Sequence, residues 1–435
     1  MEKYFEKKLE TMPRSELECL QSERLKETVK RVYENVAPYR AKMDAIKLKP
    51  SDIRSVRDLY KLPFNDKTDL RDNYPFGLFA VPRKDLARIH ASSGTTGKMT
   101  VVGYTAGDLK TWGRLGARCL AAAGAVPDDV IHIAYGYGMF TGGLGLHAGA
   151  ETLGAAVVPA SSGNTARQIT FITDFKPDVL CCTPSYACYI ADEMLKAGIR
   201  TEDISLKSGV FGAEPCSEEM RRGIEAKLGI RAHDIYGLSE IMGPGVSVEC
   251  KHQNGLHVWE DHFIPEIIDP ETLEPVTADG RTGELVFTTI TKEGMPLVRY
   301  RTKDLCSLNK EVCACGRTHA RMGKILGRSD DMLIIRGVNV FPSQIESVLL
   351  SMPEASQHYQ IHVSREGSLD SIEVHIELNE KMFSDTVRNI ERLRKELERR
   401  IHDTLGLSAA VRLVEPRSIP RSEGKAVRVI DKRGK

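Results

Sequence analysis

The sequence has almost no net charge and no apolar N-terminal segment, and each absence excludes a class of protein. Its 435 residues include 61 lysines and arginines and 60 aspartates and glutamates, which leaves a formal net charge of +1 at pH 7. This balance provides no overall attraction to nucleic acid or to an anionic membrane surface. Residues 1–10 are rich in charge and lack the apolar core of a signal peptide. We therefore expect a cytoplasmic protein that binds neither nucleic acid nor membrane.

One long segment, residues 130–150, lacks Asp, Glu, Lys and Arg, but its composition does not suit a membrane helix. It contains six glycines and two histidines and few large aliphatic residues, whereas a membrane span needs a predominantly apolar run. The ten cysteines do not indicate a disulfide framework either, because a cytoplasmic chain of this length does not need one. We expect most of them to be small buried hydrophobic residues.

The apolar pattern indicates two domains, since 435 residues exceed one ordinary hydrophobic core. Near the N-terminus, Ser15 and Glu18 form a capping-box pattern ahead of a helical stripe that begins at Leu17. Short apolar runs then alternate with helical patterns, which is typical of an α/β domain with a largely parallel sheet. These runs lie at residues 130–136, 155–160, 178–183, 208–214 and 284–289.

The pattern changes after Arg328. Strand-like runs at residues 331–337, 371–378 and 409–415 enclose a long amphipathic helix within residues 383–405. This is an α+β unit of about a hundred residues, a common domain size. We therefore predict an N-terminal domain over residues 1–328 and a C-terminal domain over residues 329–435.

A loop of small and hydroxyl-bearing residues spans residues 90–98. Such residues allow backbone N–H groups to converge on an anion, and Lys98 adds a positive charge. The Walker spacing is absent because only two residues separate Gly94 from Gly97, so a P-loop is disfavoured. A flexible polar loop is the alternative interpretation. The candidate phosphate-binding residues are Ser92, Ser93, Gly94, Thr95, Thr96, Gly97 and Lys98.

The segment SSGTTGK within this loop resembles the phosphate loop of the adenylate-forming superfamily, which includes acyl-CoA synthetases, luciferases and the adenylation domains of peptide synthetases. Five further segments resemble motifs of the superfamily and occur in the same order. They are GAEP (212–215), DIYGLSE (234–240), YRTKD (300–304), GRSDD (327–331) and RSEGKAVRV (421–429). The resemblance implies a large N-terminal α/β domain, with mixed and parallel sheets flanked by helices, and a small mobile C-terminal α+β domain.

The resemblance also implies a role for each motif. Lys425 would be the catalytic lysine, and Glu240 would bind magnesium. Tyr236 would flank the adenine, and Asp304 would hold the ribose hydroxyls. Ser239, where the family usually has Thr, would contact phosphate. The implied nucleotide-binding residues after the phosphate loop are Gly212, Ala213, Glu214, Pro215, Asp234, Tyr236, Gly237, Ser239, Asp304, Arg328 near the nucleotide and Asp330 at the hinge.

The family reaction has two steps. A carboxylate attacks the α-phosphate of ATP to form an acyl-adenylate and pyrophosphate, and the thiol of coenzyme A then displaces AMP. Because the substrate oxygen is the nucleophile, no Ser-His-Asp or Cys-His constellation is required, and none is recognisable. Catalysis then depends on positioning and on neutralising charge around phosphorus. Lys425 would bridge the carboxylate and the α-phosphate, and a domain movement would remove it before the second step.

The identity of the carboxylic acid substrate is suggested by residues 133–154, in which aromatic residues alternate with glycines. Such a block can form a flat slot for an aromatic ring, with ordinary core packing around a glycine-rich turn as the alternative. Together with residues 62–77, 236–250, 255–272 and 330–346, it resembles the phenylacetate–coenzyme A ligase family. The resemblance implies that Tyr135 and Phe140 line an aryl pocket. Phenylacetate is favoured, while substituted phenylacetates and other arylacetates such as indoleacetate stay open.

The segment from Cys313 through Cys315 to His319 resembles a metal knuckle, although one residue between the cysteines is tighter than usual. Cys250 and His257 flank a probable turn and would complete a Cys₃His set. Some relatives have such a structural zinc and others lack the cysteine pair; four reduced or solvent-facing side chains are the alternative. We predict zinc at Cys250, His257, Cys313 and Cys315. The possible substitute ligands are His252, Cys306 and His319.

Three functions are compatible with these motifs: a free-standing aryl-CoA ligase, an enzyme that loads an aryl acid onto a carrier protein, and a nucleotide sensor without turnover. A sensor is disfavoured by the intact set of motif residues Glu240, Asp304, Asp330 and Lys425. No carrier domain is fused to the chain, which weakens the second interpretation. We therefore predict an ATP- and magnesium-dependent ligase that uses coenzyme A as co-substrate and acts as a homodimer.

Overall fold

Helices and strands alternate through the middle of the chain, as the spacing of its apolar runs predicts. The computed structural model describes residues 4–92, 99–330, 333–335, 338–352, 355–366, 369–378, 387–420 and 428–433. Its helices are α1 (Lys7–Glu10), α2 (Arg14–Asn35), α3 (Ala37–Ala45), α4 (Lys67–Asp72), α5 (Ala106–Ala122), α6 (Gly142–Leu153), α7 (Thr165–Asp174), α8 (Pro184–Lys196), α9 (Glu218–Leu228), α10 (Pro342–Leu350) and α11 (Val387–Leu405).

Each apolar run predicted to be a strand contains or lies within one, and the described residues form twenty-one strands in all. They are β1 (Arg88–Ser92), β2 (Thr100–Tyr104), β3 (Val130–Ile133), β4 (Ala156–Val158), β5 (Val179–Cys182), β6 (Ser208–Gly212), β7 (Arg231–Leu238), β8 (Gly243–Glu249), β9 (Leu256–Val258), β10 (Phe263–Ile268), β11 (Gly283–Thr289), β12 (Tyr300–Cys306), β13 (Leu308–Asn309), β14 (Arg321–Met322), β15 (Gly327–Arg328), β16 (Leu333–Ile335), β17 (Val338–Val340), β18 (Ala355–Glu366), β19 (Leu369–Leu378), β20 (Ala410–Val414) and β21 (Val429–Asp431).

The chain divides into two units, one of residues 1–216 and 223–324 and one of residues 217–222 and 325–435. The first contains a nine-stranded sheet in the order β13-β14-β9-β8-β7-β6-β5-β3-β4. Strands β4, β3, β5, β6 and β7 run parallel to their neighbours, and β8 and β9 continue the sheet antiparallel. The predicted α/β fold with a mixed, largely parallel sheet is therefore confirmed. The carboxyl ends of the parallel strands meet at one edge, where such sheets bind ligands.

Helix α2 begins at Arg14, and its N-cap residue Pro13 makes no side-chain capping hydrogen bond. The predicted capping box of Ser15 and Glu18 is therefore wrong, because Ser15 lies inside the first helical turn rather than before it. The predicted apolar stripe is confirmed: four of its members are at most 1 % exposed. They are Leu17, Leu25, Val29 and Val32.

The uncharged segment at residues 130–150 contributes strand β3, a loop and most of helix α6. Its glycines permit close packing of α6 on α5: a Cβ added to Gly145 would lie 2.4 Å from the Trp112 ring. A Cβ added to Gly149 would lie 2.7 Å from the backbone of Gly116. Packing of α6 on α5 thus accounts for two of the six glycines. Among the described residues, none of the helices has the length and apolar character needed to cross a bilayer.

The second unit contains a four-stranded sheet in the order β20-β19-β18-β21. Strands β18 and β19 are antiparallel, and β20 and β21 add in parallel at the two edges. Apolar residues of α10, α11 and this sheet form one core, in which Ile345, Leu397 and Val374 are fully buried. The predicted α+β fold of this unit is confirmed. Phe383, the first residue of the predicted helical stripe, lies outside the described residues.

Candidate functional site

Two of the motifs meet at the carboxyl edge of the parallel sheet. Gly212 is the last residue of β6, and Tyr236 lies near the end of the adjacent strand β7. Their register pairs Gly212 with Ile235, so the GAEP segment and the DIYGLSE segment emerge side by side. The sheet topology thereby places the two predicted nucleotide-binding motifs together at the edge where α/β proteins bind ligands.

The GAEP turn is fixed by its own residues. Ala213 adopts a φ of +70°, a left-handed conformation that is uncommon for a residue with a side chain. Glu214 accepts a hydrogen bond from the backbone N–H of Ser185 at 2.7 Å, in the first turn of α8. A carboxylate at a helix N-terminus is electrostatically favourable. The side chain of Glu214 therefore ties the turn to the next helix.

Tyr236 and Asp304 are brought into direct contact although 68 positions separate them. The Tyr236 hydroxyl donates to the Asp304 carboxylate at 2.6 Å, and Asp304 comes from β12, a strand outside the nine-stranded sheet. Burial and the adjacent carboxylate raise the pKa of Tyr236, so the hydroxyl stays a donor. The residue predicted to flank adenine and the residue predicted to hold the ribose are therefore joined by one hydrogen bond.

The turn between β7 and β8, residues 239–242, carries Ser239 and Glu240, both buried. The Ser239 hydroxyl lies 3.0 Å from the Thr141 hydroxyl at the start of α6. The Ser239 carbonyl accepts from the Tyr104 hydroxyl at 3.1 Å, and the Glu240 carbonyl accepts from the Lys292 ammonium at 2.9 Å. Three side chains from three parts of the chain thus hold this β7–β8 turn.

Sequence reasoning missed these three supporting residues. Lys292 is only 2 % exposed, and burial lowers its pKa to about 8 although the charges of Asp108 and Glu240 oppose the shift. Tyr104 and Lys292 lie in no recognisable motif, and Thr141 lies in the aromatic–glycine block without marking itself there, so these contacts emerge only when the chain is folded. Gly237, which was predicted to bind nucleotide, has a packing role: a Cβ there would lie 1.8 Å from the Gly243 carbonyl oxygen.

The two predicted aryl-binding residues lie in different environments. Tyr135, two residues after β3, is 5 % exposed, whereas Phe140, in the loop before α6, is 43 % exposed. The backbone carbonyl of Met139 accepts from the Ala91 N–H at 3.1 Å and lies 3.1 Å from Nδ1 of His90. The loop that carries Phe140 is therefore attached to β1, the strand that leads to Ser92.

Some predicted residues lie outside the described part of the chain. Ser92 ends β1 and pairs with Thr100 of β2, so these strands flank the predicted phosphate loop, but residues 93–98 are outside the described ranges. Lys425 is also outside them. In the second unit Arg328 donates two hydrogen bonds to Asp330, at 2.8 and 2.9 Å.

Cys250, His257, Cys313 and Cys315 converge to form a buried cluster, here called the sulfur cluster. Their ligand atoms all lie within 4.8 Å of one another. The Sγ atoms of Cys250 and Cys313 are 3.8 Å apart, and Nε2 of His257 is 3.5 Å from Sγ of Cys315. Three sulfurs and one imidazole nitrogen are the donor set of a structural zinc site.

Strand pairing explains how the sulfur cluster assembles. Cys250 directly follows β8, and the turn after it returns the chain along β9, in which His257 pairs with Val248. Arg321 of β14 pairs with His257 on the other side, which brings the preceding loop and its two cysteines close. Of the possible substitutes, His252 is exposed, and the Nε2 atom of His319 lies 3.0 Å from the Leu9 carbonyl.

The N-terminal segment packs against the sulfur cluster. The guanidinium of Arg317 lies 3.6 Å from Sγ of Cys315 and donates to the buried carboxylate of Glu10 at 2.8 Å. The Tyr4 hydroxyl donates to the Cys315 carbonyl. Residues from opposite ends of the first unit therefore depend on the position of the Cys315 loop.

Comparison with known proteins agrees with this geometry. The family model described as AMP-binding enzyme matches residues 17–291, and the model for the AMP-binding enzyme C-terminal domain matches residues 337–433. The chain is similar to the phenylacetate-coenzyme A ligase of Thermus thermophilus, with 54 % identity over 99 % of both chains. It is 53 % identical to that of Escherichia coli over 98 % of this chain and 97 % of the relative.

Solved structures show the same fold. A 2-hydroxyisobutyryl-CoA ligase in the postadenylation state, in complex with 2-HIB-AMP, superposes with a TM-score of 0.92 at 29 % identity, covering 100 % of this chain and 93 % of the other. The same ligase with 2-HIB-AMP and CoA gives a TM-score of 0.74 at 30 % identity, covering 99 % and 93 %. With a family model over more than half of its length and full-length relatives above 50 % identity, the chain belongs to the AMP-binding enzyme family and, within it, to the phenylacetate-coenzyme A ligases.

Proposed function

We propose that the chain joins phenylacetate to coenzyme A in an ATP-dependent, AMP-forming reaction through an acyl-adenylate. The observation that carries this function is full-length similarity: four curated phenylacetate-coenzyme A ligases are 51–54 % identical over 98–99 % of the chain. The similar solved ligase binds an acyl-AMP and CoA. The activity is therefore that of an acid–thiol ligase.

The nucleotide site that we propose lies at the carboxyl edge of the parallel sheet. Adenine would lie between the GAEP segment and Tyr236, and Asp304 would bind the ribose hydroxyls. The contact between Tyr236 and Asp304 supports this arrangement. Residues 92–98 would bind the β- and γ-phosphates, with Ser239 beside them. Glu240 would bind magnesium, which prefers carboxylate oxygens and phosphate as ligands.

Charge neutralisation at the α-phosphate would come from Lys425, in a C-terminal domain that we propose to be mobile and to span residues 329–435. Lys425→Ala is expected to abolish adenylate formation and to spare thioester formation from supplied phenylacetyl-adenylate, because only the first step needs the positive charge there. Lys432→Ala, which removes the lysine seven residues further along the chain, is the matched control. Equal loss of both half-reactions in Lys425→Ala would contradict the role.

The identity of the acid is tested by a substrate panel. Phenylacetate, 4-hydroxyphenylacetate, indoleacetate and acetate are assayed with ATP, magnesium and coenzyme A for AMP and thioester. We expect phenylacetate to have the highest kcat/KM, since Tyr135 and Phe140 would line an aryl pocket. Phe140→Ala should then raise KM for phenylacetate more than KM for ATP, with Phe175→Ala as the exposed control. AMP release only in the presence of a carrier protein would favour the alternative, an enzyme that loads an aryl acid onto a carrier.

We further propose that the sulfur cluster binds one structural zinc ion. Four buried protein ligands would close the tetrahedral site and leave no open position for substrate, so zinc would stabilise the fold rather than take part in the reaction. Metal analysis of the purified protein should find one zinc per chain. A protein that is folded and active without stoichiometric zinc would contradict this assignment.

The family resemblance also leads us to propose a cytoplasmic homodimer that acts in phenylacetate catabolism. Light scattering during size-exclusion chromatography should give twice the chain mass of 48.3 kDa. A single-chain mass at micromolar concentration would contradict the dimer without affecting the proposed reaction.

A further inference from the structure

The back of the β7–β8 turn is held by two side chains that also contact each other. Tyr104, which ends β2, donates its hydroxyl to the Ser239 carbonyl at 3.1 Å. Lys292, between β11 and β12, donates its ammonium to the next carbonyl, that of Glu240, at 2.9 Å. The Lys292 nitrogen lies 4.7 Å from the centre of the Tyr104 ring. Two consecutive peptide groups are therefore fixed by one cation–π pair.

A fully buried ammonium is costly unless its surroundings compensate for the lost water. Here the compensation comes from the Glu240 carbonyl, the face of the Tyr104 ring and the nearby carboxylate of Asp108, which is itself buried. Asp108 also accepts hydrogen bonds from the backbone N–H groups of Glu293 and Gly294 at 2.7 and 2.8 Å. The segment that carries Lys292 is thus fixed to the first turn of α5, and a connected buried network of this kind is rigid.

The other side of Tyr104 is also fixed. Its ring stacks on Trp112 of α5, with centroids 5.0 Å apart and planes inclined by 14°. The Trp112 indole donates to the carbonyl of Pro244, just after the turn, at 2.7 Å. The edge of His90, two residues before Ser92, packs against both rings. The network therefore connects the β7–β8 turn with the strand that leads to the predicted phosphate loop.

We infer that Lys292 and Tyr104 are positioning residues that set the orientation of Glu240 toward the magnesium complex of ATP, an inference that rests on the proposed function. Fixing the carbonyls of Ser239 and Glu240 fixes the two peptide planes on either side of the Glu240 Cα, and hence the direction in which its side chain leaves the backbone. A misplacement of about 1 Å in such a group costs roughly a hundredfold in rate. Neither residue needs to touch the substrate.

The test compares Lys292→Met and Tyr104→Phe with the parent enzyme. Lys292→Met keeps the length of the side chain and removes the charge and the donor, and Tyr104→Phe removes only the hydroxyl. Lys207→Met is the matched control, because Lys207 precedes β6, pairs with Asp129 and lies at the opposite end of that strand from the GAEP segment. Calorimetry measures ATP affinity with magnesium and with EDTA, and rapid-quench kinetics measures the two half-reactions separately.

We expect Lys292→Met to weaken ATP binding about tenfold in magnesium but by less than about threefold in EDTA, and to slow adenylate formation about a hundredfold. Thioester formation from supplied phenylacetyl-adenylate should stay near the parent rate. Tyr104→Phe should change the same quantities in the same direction, with fold-changes about three to ten times smaller than those of Lys292→Met. The fold-change in the double variant should be smaller than the product of the two single fold-changes, because the two residues share one network.

Equal weakening of ATP binding with and without magnesium, or a lower melting temperature with unchanged magnesium dependence, would overturn the inference and leave Lys292 a structural residue. If Lys292→Met does not fold, Tyr104→Phe decides by the same criterion. A parent enzyme that binds magnesium–ATP but forms no phenylacetyl-CoA would refute the proposed acid while the calorimetric comparison still tests Lys292.

Discussion

The sulfur cluster and the β7–β8 turn lie in the same unit, but their buried polar atoms are organised in opposite ways. In the sulfur cluster four donors point toward one another, with Cys250 and Cys313 sulfurs 3.8 Å apart. Around the turn Tyr104 and Lys292 instead each donate to a backbone carbonyl. Buried polar groups need partners. The first arrangement would gain them from the proposed zinc ion, and the second already contains them.

This difference indicates that the sulfur cluster is built to bind a ligand, whereas the side chains around the β7–β8 turn are built to hold the backbone in place. Convergent soft donors indicate a metal, whereas a completed hydrogen-bond network indicates control of backbone orientation. Damage to the sulfur cluster should therefore change metal content and stability more than the rate per folded molecule. Damage around the β7–β8 turn and its neighbours should change nucleotide kinetics and leave the metal in place.

The largest effect is expected from Cys315→Ser. Loss of a thiolate ligand should release zinc, and because zinc binding contributes directly to folding, the melting temperature should fall by on the order of 10 °C. Atomic emission analysis and thermal denaturation measure the two changes. Cys188→Ser, a buried cysteine of α8 outside the cluster, is the matched control and should keep the zinc.

Hydrogen exchange in the N-terminal segment, residues 4–10, gives a second measure of the loss of zinc. Because Arg317 connects Cys315 to Glu10, removal of zinc should increase amide hydrogen exchange in residues 4–10 before it increases exchange in β6 and β7. Unchanged exchange in residues 4–10, together with full zinc content in Cys315→Ser, would show that the cluster is not the structural site proposed here.

The second effect is kinetic. Asp304→Asn removes the charge that faces the Tyr236 hydroxyl at 2.6 Å and the ribose hydroxyls in the proposed site. A hydrogen bond to a charged group contributes about 1.5–3 kcal/mol, so kcat/KM for ATP should fall between about tenfold and a hundredfold, with zinc content unchanged.

Tyr236→Phe keeps the ring and serves as the comparison for Asp304→Asn. It should lose less than about tenfold in kcat/KM for ATP, because only one neutral donor is removed. If Asp304→Asn released zinc or lowered the melting temperature as much as Cys315→Ser, the sulfur cluster and the nucleotide site would be thermodynamically coupled rather than independent.

The meeting of the GAEP and DIYGLSE motifs could be predicted from sequence because they lie at the carboxyl ends of two strands of the parallel sheet, β6 and β7, and such ends gather at one edge. The sulfur cluster could be anticipated from cysteine and histidine spacing across two turns. Strand boundaries also agreed, since the predicted run at residues 178–183 contains β5 (Val179–Cys182), which is apolar and buried over its whole length. The same pattern reading failed at Ser15, because the N-cap residue is Pro13 and the helix begins two residues earlier than predicted.

Lys292 and Tyr104 could not be predicted from sequence because nothing near either residue marks it. Lys292 is followed by Glu293 and resembles an ordinary surface charge, yet it is 2 % exposed. Its role depends on contacts with residues 52 and 188 positions earlier. Likewise, the glycines of residues 142–149 suggested a slot for a ring, and two of them, Gly145 and Gly149, proved to serve the packing of α6 on α5.

The smallest effect concerns His262, which lies between the two compared regions. Its Nε2 atom is 3.3 Å from the Asp261 carboxylate, which pairs with Arg118 on the side of the N-terminal segment. Its Nδ1 atom is 2.7 Å from the hydroxyl of Thr291, the residue before Lys292. Burial, assisted by Arg118 and two further arginines and opposed by Asp261, lowers the pKa of His262 to about 3. The two further arginines are Arg24 and Arg114.

Because the folded pKa of His262 lies below the unfolded value of about 6.5, the unfolded state binds the proton first as the pH falls. The free energy of unfolding should therefore decrease below about pH 6.5, with a limiting slope for this one group of about 1.4 kcal/mol per pH unit down to about pH 3. His262→Gln should remove that part of the slope, and urea denaturation at pH 7, 6 and 5 measures it for both proteins. Equal slopes would mean that other buried histidines dominate the acid response. A smaller slope in His262→Gln with unchanged zinc content would place the acid sensitivity at the junction between the two regions rather than in the sulfur cluster.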